Sequence, residues 1–311
     1  MKVLILGGSG FIGKNLIKEL VDLRYDVRLL VKKPIAEKDL NFSIDSIEIF
    51  IGSFFDPAAI KAALKDVNIV IHLISTTTPI TSNADPVMDV QSNVVATINM
   101  LIQAKDAGVS KIIFTSSGGV VYGGALQLPI SENHSTHPIC SYGITKLTIE
   151  NYLELFNRLY GLDYTILRVA NAYGPYQNPE SGLGAVSVFL WNVLNDRKIN
   201  IWGDGEIIRD YIYVSDIVSS IISAIKTSTK YKIFNIGNGI PYTLNFLLKK
   251  IEEVTKKKAI IEYAPRRKVD ISSNYLDITL AKKELPWIPI VSLEEGISKT
   301  KIYIDEIKKN S

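Results

Sequence analysis

At 311 residues the chain is long enough to bury a sizeable core, as one large domain or as two lobes. Its 47% apolar and 22% charged content is that of a globular protein, and a net charge of +3 is too small to suggest nucleic acid or an anionic membrane as partner. A single cysteine, Cys140, excludes an internal disulfide, and with no apolar run near roughly 18 residues and no secretory pattern the expected location is the cytoplasm.

Taken in order, short β-branched runs at 2–6, 26–31, 47–51, 69–73, 111–116 and 163–169 predict strands. Between them the 3.6-residue periodicity of 14–23, 57–64, 92–107 and 142–160 predicts helices. Continuously apolar strands alternating with helices imply a parallel sheet covered on both faces, an α/β doubly wound architecture with ligands at the C-terminal strand ends. After about residue 170 the pattern loosens. Residues 173–184, rich in Gly, Pro and Asn, read as a long loop, and the remainder as a smaller α/β substrate lobe. The segment "YKIFNIG" (231–237) is a candidate to rejoin the first sheet.

Two local patterns carry chemistry. Gly7, Gly10 and Gly13 form G-x-x-G-x-x-G between a strand and a helix. The glycines allow a tight turn, close approach of backbone to a pyrophosphate and close helix packing, and the helix N-terminus offers free N–H groups to the phosphates. In "SYGITK", Tyr142 and Lys146 stand four apart, one turn apart on one helix face. An ammonium there is expected to lower the phenol pKa from about 10 toward neutrality, so that the tyrosine exchanges a proton with a sugar hydroxyl or ketone. The histidines His72, His134 and His137 have no metal-ligand spacing; His72 reads as a core residue, and Cys140 has no basic partner that would make it a nucleophile. The aromatic residues of "WGDG" and "DYIYV" read as packing.

With these motifs placed, the chain resembles the extended short-chain dehydrogenase/reductase family of nucleotide-sugar epimerases, dehydratases and reductases, nearly from end to end. "GGSGFIG", with Gly7, Gly10, Phe11, Ile12 and Gly13, resembles the family's phosphate loop. "VIHLIS", with Leu73, resembles the strand under the nicotinamide ribose, and "SNVVATINMLIQA", with Asn93, its following helix. "FTSSGGVVYG" resembles the catalytic serine strand and "SYGITK" the Tyr–Lys helix. "LRVANAYGP", with Asn171, resembles the segment that holds a sugar-nucleotide diphosphate. In "IWGDGEIIRDYIYVSDI" Arg209 would meet a phosphate and Asp216 a structural turn, and in "RRKVDISSNYLD" Arg267 would reach diphosphate, whereas Arg266 and Lys268 read as surface ion pairs. The resemblance implies a Rossmann-type domain over 1–170, with 231–237 as the candidate to return to it, and a nucleotide-sugar lobe over 171–311. It also implies a homodimer paired through the 92–107 and 142–160 helices. The roles implied are Tyr142 as proton donor, Lys146 on the nicotinamide ribose, and Ser117 or Ser116 as the hydroxyl on the reacting sugar oxygen. The family's usual Ser or Thr position, four residues before Tyr122, is Gly118.

The adenosine end departs from the NAD pattern. Where NAD-specific relatives close the second strand with Asp, the chain has Val31, Lys32 and Lys33, which would attract a 2′-phosphate. In "GSFFD", beside Phe54, Ser53 stands where relatives often place an Asp against adenine. NADP is therefore favoured over NAD, and with it an NDP-4-keto-6-deoxyhexose 4-reductase over an NDP-hexose 4-epimerase holding NAD. Dehydration is disfavoured, since "SSGGVVYG" lacks the Asp–Glu pair of the family's dehydratases.

Overall fold

The computed structural model describes residues 1–35, 46–266 and 271–310. The first six strands fall at β1 (Lys2–Leu6), β2 (Asp26–Val31), β3 (Ile47–Ile51), β4 (Ile69–His72), β5 (Lys111–Ser117) and β6 (Asp163–Val169). Among them run α1 (Phe11–Asp22), α2 (Pro57–Ala63), α3 (Pro86–Asp89), α4 (Ala96–Asp106) and α5 (Ser141–Tyr160). A π-helical turn, Val90–Val95, joins α3 to α4 and overlaps the start of the segment, 92–107, predicted as one regular helix. Apolar periodicity survives such a turn, so sequence pattern does not reveal it.

The second half adds β7 (Asn171–Tyr173), α6 (Ala185–Leu194), β8 (Lys198–Trp202), β9 (Ile208–Arg209), β10 (Tyr211–Tyr213) and α7 (Val214–Lys226). It continues with β11 (Ile233–Ile236), β12 (Tyr242–Thr243), α8 (Leu244–Thr255), β13 (Ile260–Ala264), β14 (Ser273–Asn274), α9 (Thr279–Glu284) and α10 (Leu293–Asn310).

Seven strands form one parallel sheet in the order β11-β6-β5-β4-β1-β2-β3, the doubly wound topology that the alternating pattern predicts. Strand β11 pairs in parallel with β6, Ile233 opposite Ile166 and Ile236 opposite Val169. Each face of the sheet has its own core. Leu16, Ile17 and Leu20 of α1 pack with Ile217 and Ile221 of α7 over Val3, Ile5 and Ile113. On the other face Met100, Leu101, Ile149 and Leu153 of α4 and α5 cover Leu4, Leu6, Ile112 and Phe114. A third core gathers Tyr173, Tyr211 and Tyr213 with Leu190, Leu247 and Ile297 of α6, α8 and α10. No helix among the described residues is long and apolar enough to cross a membrane.

The sheet order reverses between β1 and β4. Chain segments leaving β1, β2, β3 and β4 therefore diverge around one crevice at the C-terminal edge, where a dinucleotide binds in this topology.

Candidate active site

The crevice is a cleft of about 550 Å³. Gly7, Ser9 and Lys14 line one wall, Val31 to Ile35 another, and Ile74, Ser75 and Thr76 a third, with Phe54 and Phe55 closing the adenine end. Gly7 adopts φ +92°, and a Cβ on Gly13 would lie 2.4 Å from the Gly7 carbonyl oxygen, so the loop closes only with glycine at these two places. Helix α1 starts at Phe11 on Gly10, three residues earlier than its apolar periodicity implies. No side chain caps it, which leaves its first-turn N–H groups to an outside acceptor. Phe11 and Ile12 supply backbone to this turn while their side chains pack against the third core. These features fit a dinucleotide diphosphate.

Lysines supply the charge of the cleft. Lys14, Lys32 and Lys33 all line it, and no described lining residue is acidic. The Lys32 ammonium stands over the Phe55 ring at 5.4 Å and the Lys14 ammonium over Tyr176 at 5.3 Å. Ser53 is placed differently from the expectation. Its hydroxyl accepts the Phe55 N–H at 3.2 Å and so caps the turn after β3, and the cleft takes Gly52, Phe54 and Phe55 instead. Leu73 packs with the first core, and Ile74 is the residue that reaches the cleft. Asn93 is likewise a brace behind the wall. Its amide oxygen accepts the Thr76 N–H, and its NH₂ donates to Thr76 and to the buried Asp89 carboxylate.

Tyr142 and Lys146 project from the first turns of α5 toward the same crevice. The phenol lies beside Ser75 of the cleft wall, and the ammonium donates to the Thr115 carbonyl at 2.9 Å over the face of Phe114. Burial pushes Tyr142 up to about 12, with Ser75 acting against it. The expected lowering of the phenol by Lys146 is not seen in the protein alone: burial is the largest influence, and Lys146 is not among the groups that act on it. Burial also brings Lys146 down to about 8, opposed by the charges of Glu150 and Asp89. Asp89 fixes the start of α5, its other oxygen accepting the Ser141 hydroxyl at 2.6 Å, while Asn83 accepts the Ser141 N–H.

The two serines separate by strand alternation. Ser116 is 5% exposed and donates to Glu150 at 2.5 Å, so its assignment to substrate is corrected: its side chain points under α5. Ser117, half-buried at the last residue of β5, keeps the opposite orientation, and its carbonyl accepts the Val121 N–H.

A second cleft, of about 330 Å³, holds Asn171, Arg209 and Tyr211 together with Trp202, Phe189 and Asn200. The Asn171 amide donates to the Asp210 carbonyl, and Arg209 is anchored on the Ile208 and Ile271 carbonyls. Tyr211 is 2% exposed and its hydroxyl has no partner among the described residues, a buried donor available to a ligand. Tyr211 and Tyr213 do pack in the core, but Trp202 stands 41% exposed at the cleft rim, which its packing assignment did not foresee. Arg267 and Lys268 lie outside the described residues. His72 is buried and neutral, pushed to about 3, with Nε2 bonded to Thr97 and Nδ1 without a partner among the described residues. Burial raises the Cys140 thiol, against a nucleophilic role. Asp216 is buried and accepts the Val291 N–H, a structural anchor for the segment before α10.

Ser75, Lys14, Asp89, Glu150 and Tyr211 are the site residues that the sequence does not single out. Only Tyr211 has a local signal, as the second residue after Arg209.

Comparison with known proteins agrees with this geometry. A family model described as NAD dependent epimerase/dehydratase family matches residues 3–237. The chain is 34% identical over 310 residues to a dTDP-4-dehydro-6-deoxyglucose reductase of Escherichia coli, covering 96% of this chain and 95% of that protein. It superposes with a TM-score of 0.93 on the UDP-glucose 4-epimerase of Thermotoga maritima solved with UDP-glucose, at 36% identity over 99% of this chain and 100% of that one. Against the Thermus thermophilus UDP-glucose 4-epimerase in complex with NAD the TM-score is 0.89, at 28% identity over 98% of this chain and 99% of that one. The chain belongs to the NAD dependent epimerase/dehydratase family, enzymes that act on nucleotide sugars with NAD(P).

Proposed function

We propose that the protein is an NADPH-dependent 4-reductase of a nucleoside-diphosphate 4-keto-6-deoxyhexose. The observation that carries this reading is the cofactor cleft, with Lys14, Lys32 and Lys33 in its lining and no acid among the described lining residues. Two of those lysines follow directly on β2, the strand that would carry a ribose-binding acid in an NAD site. NADPH bound there would supply a hydride. Gly7 to Gly13 would hold its diphosphate, Lys32 and Lys33 a 2′-phosphate, and Ser75 and Thr76 would lie along its nicotinamide side.

The chain's own residues then divide the work. Asn171, Arg209 and Tyr211 hold the nucleotide diphosphate and so bring the sugar C4 carbonyl toward Tyr142. A phenol with a pKa of about 12 is protonated at neutral pH, which is the form that gives a proton to the ketone oxygen. Ser117 bonds that oxygen as negative charge develops on it. Lys146, fixed on the Thr115 carbonyl, presents positive charge to the same region and restores the proton-donating state through its own proton.

Purified protein should oxidise NADPH stoichiometrically with a dTDP-4-keto-6-deoxyhexose. Replacing Lys32 and Lys33 together by alanine should raise KM for NADPH about tenfold or more and leave NADH little changed. An unchanged NADPH/NADH ratio would remove the basis for assigning the 2′-phosphate to these lysines. Tyr211→Phe should raise KM for the nucleotide sugar roughly tenfold, the worth of one hydrogen bond to a charged group, with kcat within about twofold.

A 4-epimerase is the second reading, favoured by the likeness to the UDP-glucose 4-epimerases. It predicts NAD released in stoichiometric amount on denaturation, and no net cofactor oxidation with any ketosugar.

A further inference from the structure

Among the described residues, Lys146, Glu150, Arg168 and Asp89 form a cluster of buried charges behind the Tyr142 phenol, with exposures of 4%, 3%, 3% and 0%. Two are positive and two negative. Glu150 lies one helical turn beyond Lys146 on the same face of α5. Its carboxylate accepts Arg168 Nη2 at 2.6 Å and Arg168 Nε shared between both oxygens at 3.1 and 3.2 Å, and also accepts the Ser116 hydroxyl at 2.5 Å. Arg168 extends the network to the Tyr122 hydroxyl at 3.0 Å, and Tyr122 donates to Asn235 of β11. One carboxylate thus joins α5 to the end of β5, to β6 and, through Tyr122, to β11.

We propose that Glu150 is a positioning residue for the Tyr142–Lys146 pair: it ties the helix carrying that pair to the β5 end bearing Ser117, and its charge keeps the buried Lys146 ammonium protonated. This rests on the catalytic reading of Tyr142 and Lys146 given above. Charged and titratable groups face Lys146 from three sides. On its own helix are neutral Tyr142 and Glu150. From the β4–α4 side come Asp89 and His72, the latter neutral across the working range, and from β6 comes Arg168, spent on Glu150. Burial already drives Lys146 down to about 8, and Glu150 is the larger of the two groups opposing it. Without Glu150 the cluster would hold two cations against Asp89 alone. Lys146 would then lose its proton at lower pH. Because the protonated form is the active one, the alkaline limb of the rate profile moves toward acid.

The test is the pH dependence of kcat in Glu150→Gln, with Glu150→Asp as the conservative rescue and Ser116→Ala as a variant that removes one bond to the carboxylate but no charge. The expected result is an alkaline limb at least about one pH unit lower in Glu150→Gln, largely restored in Glu150→Asp and unmoved in Ser116→Ala. The pKa of Lys146 is read independently of turnover by NMR titration of ¹³C-labelled lysine, assigned with Lys146→Arg, and should fall in Glu150→Gln. If wild type reduces no ketosugar, the functional reading fails, while the titration still decides the charge role. A folded Glu150→Gln with unmoved limb and unmoved lysine titration would overturn the proposal. Should Glu150→Gln not fold, Glu150→Met removes the same charge at similar volume, leaves both cations in place, and is read in the same way. Loss of folding in both would assign Glu150 to stability alone and overturn it equally.

Discussion

Tyr142→Phe is expected to lower kcat by about 10²–10⁴-fold in a folded protein that still binds cofactor, because it removes one oxygen and leaves the ring in place. The ring sits between Ser75 of the cleft wall and the body of α5, so the phenylalanine fills the same space. KM for the nucleotide sugar should change little, since Asn171, Arg209 and Tyr211 occupy a separate cleft. The wild-type profile fixes the sign of the pH effect. Lys146, at about 8, loses its charge as pH rises through that value, so the rate should fall on the alkaline side well before the phenol at about 12 ionises. Steady-state kinetics from about pH 6 to 10 check both points. A turnover unchanged in Tyr142→Phe would remove the tyrosine from the chemistry.

Arg168→Met is expected to be the most destabilising single exchange in the site. It strands Glu150, at 3% exposure, without its counter-charge, at a cost of about 3–5 kcal/mol, or a fall in Tm of roughly 5–15 °C. Among the described residues Ser116 alone remains to satisfy the carboxylate, and Tyr122 loses its guanidinium neighbour. Exchanging both partners, Arg168→Met with Glu150→Leu, should recover most of that loss, because an apolar pair of similar volume needs no compensation. Thermal melts of the two variants separate the cost of an unpaired charge from the worth of the pair. A single variant within about 1 kcal/mol of wild type would contradict the buried pairing.

Local patterns in the sequence are enough to trace six strands of the seven-stranded sheet, with 231–237 a candidate for the last, for a definite physical reason. Strands buried on both faces read as unbroken apolar runs, and Ile69–His72 or Lys111–Ser117 differ from their predicted bounds by one residue. The i, i+4 pair Tyr142 and Lys146 and the glycine loop are equally local, so the structure brings them to one crevice as the spacing implies. What lies outside local pattern escapes such a reading. Asp89 reaches Ser141 across 52 residues and Arg168 reaches Glu150 across 18, and neither separation leaves a periodic trace. The pairing in the two- and three-residue strands β7, β9, β10, β12 and β14 depends on partners rather than on propensity. Ser116 and Ser117 can be told apart only once the strand's facing is known. Spacing misreads the phenol's pKa because it reports the neighbouring charge and not the depth of burial.

The position of β11 has a consequence for how the chain is made. Synthesis delivers β6 before β11, and all of the chain between Val169 and Ile233 must follow before the last rung of the sheet exists. Through that interval β6 presents a bare hydrogen-bonding edge, along which Ile166, Leu167 and Val169 end up buried. The nascent N-terminal half is thus an open sheet, exposed to strand exchange with a neighbouring ribosome's product, until residues encoded well downstream arrive to close it. Tyr122 and Arg168, which reach toward Asn235 of β11, acquire their full set of partners at that same late moment. Assembly of the polar cluster beneath α5 is therefore tied to completion of the sheet, and a chain that stalls early would hold its glycine loop and its Tyr–Lys pair without the underpinning that fixes them.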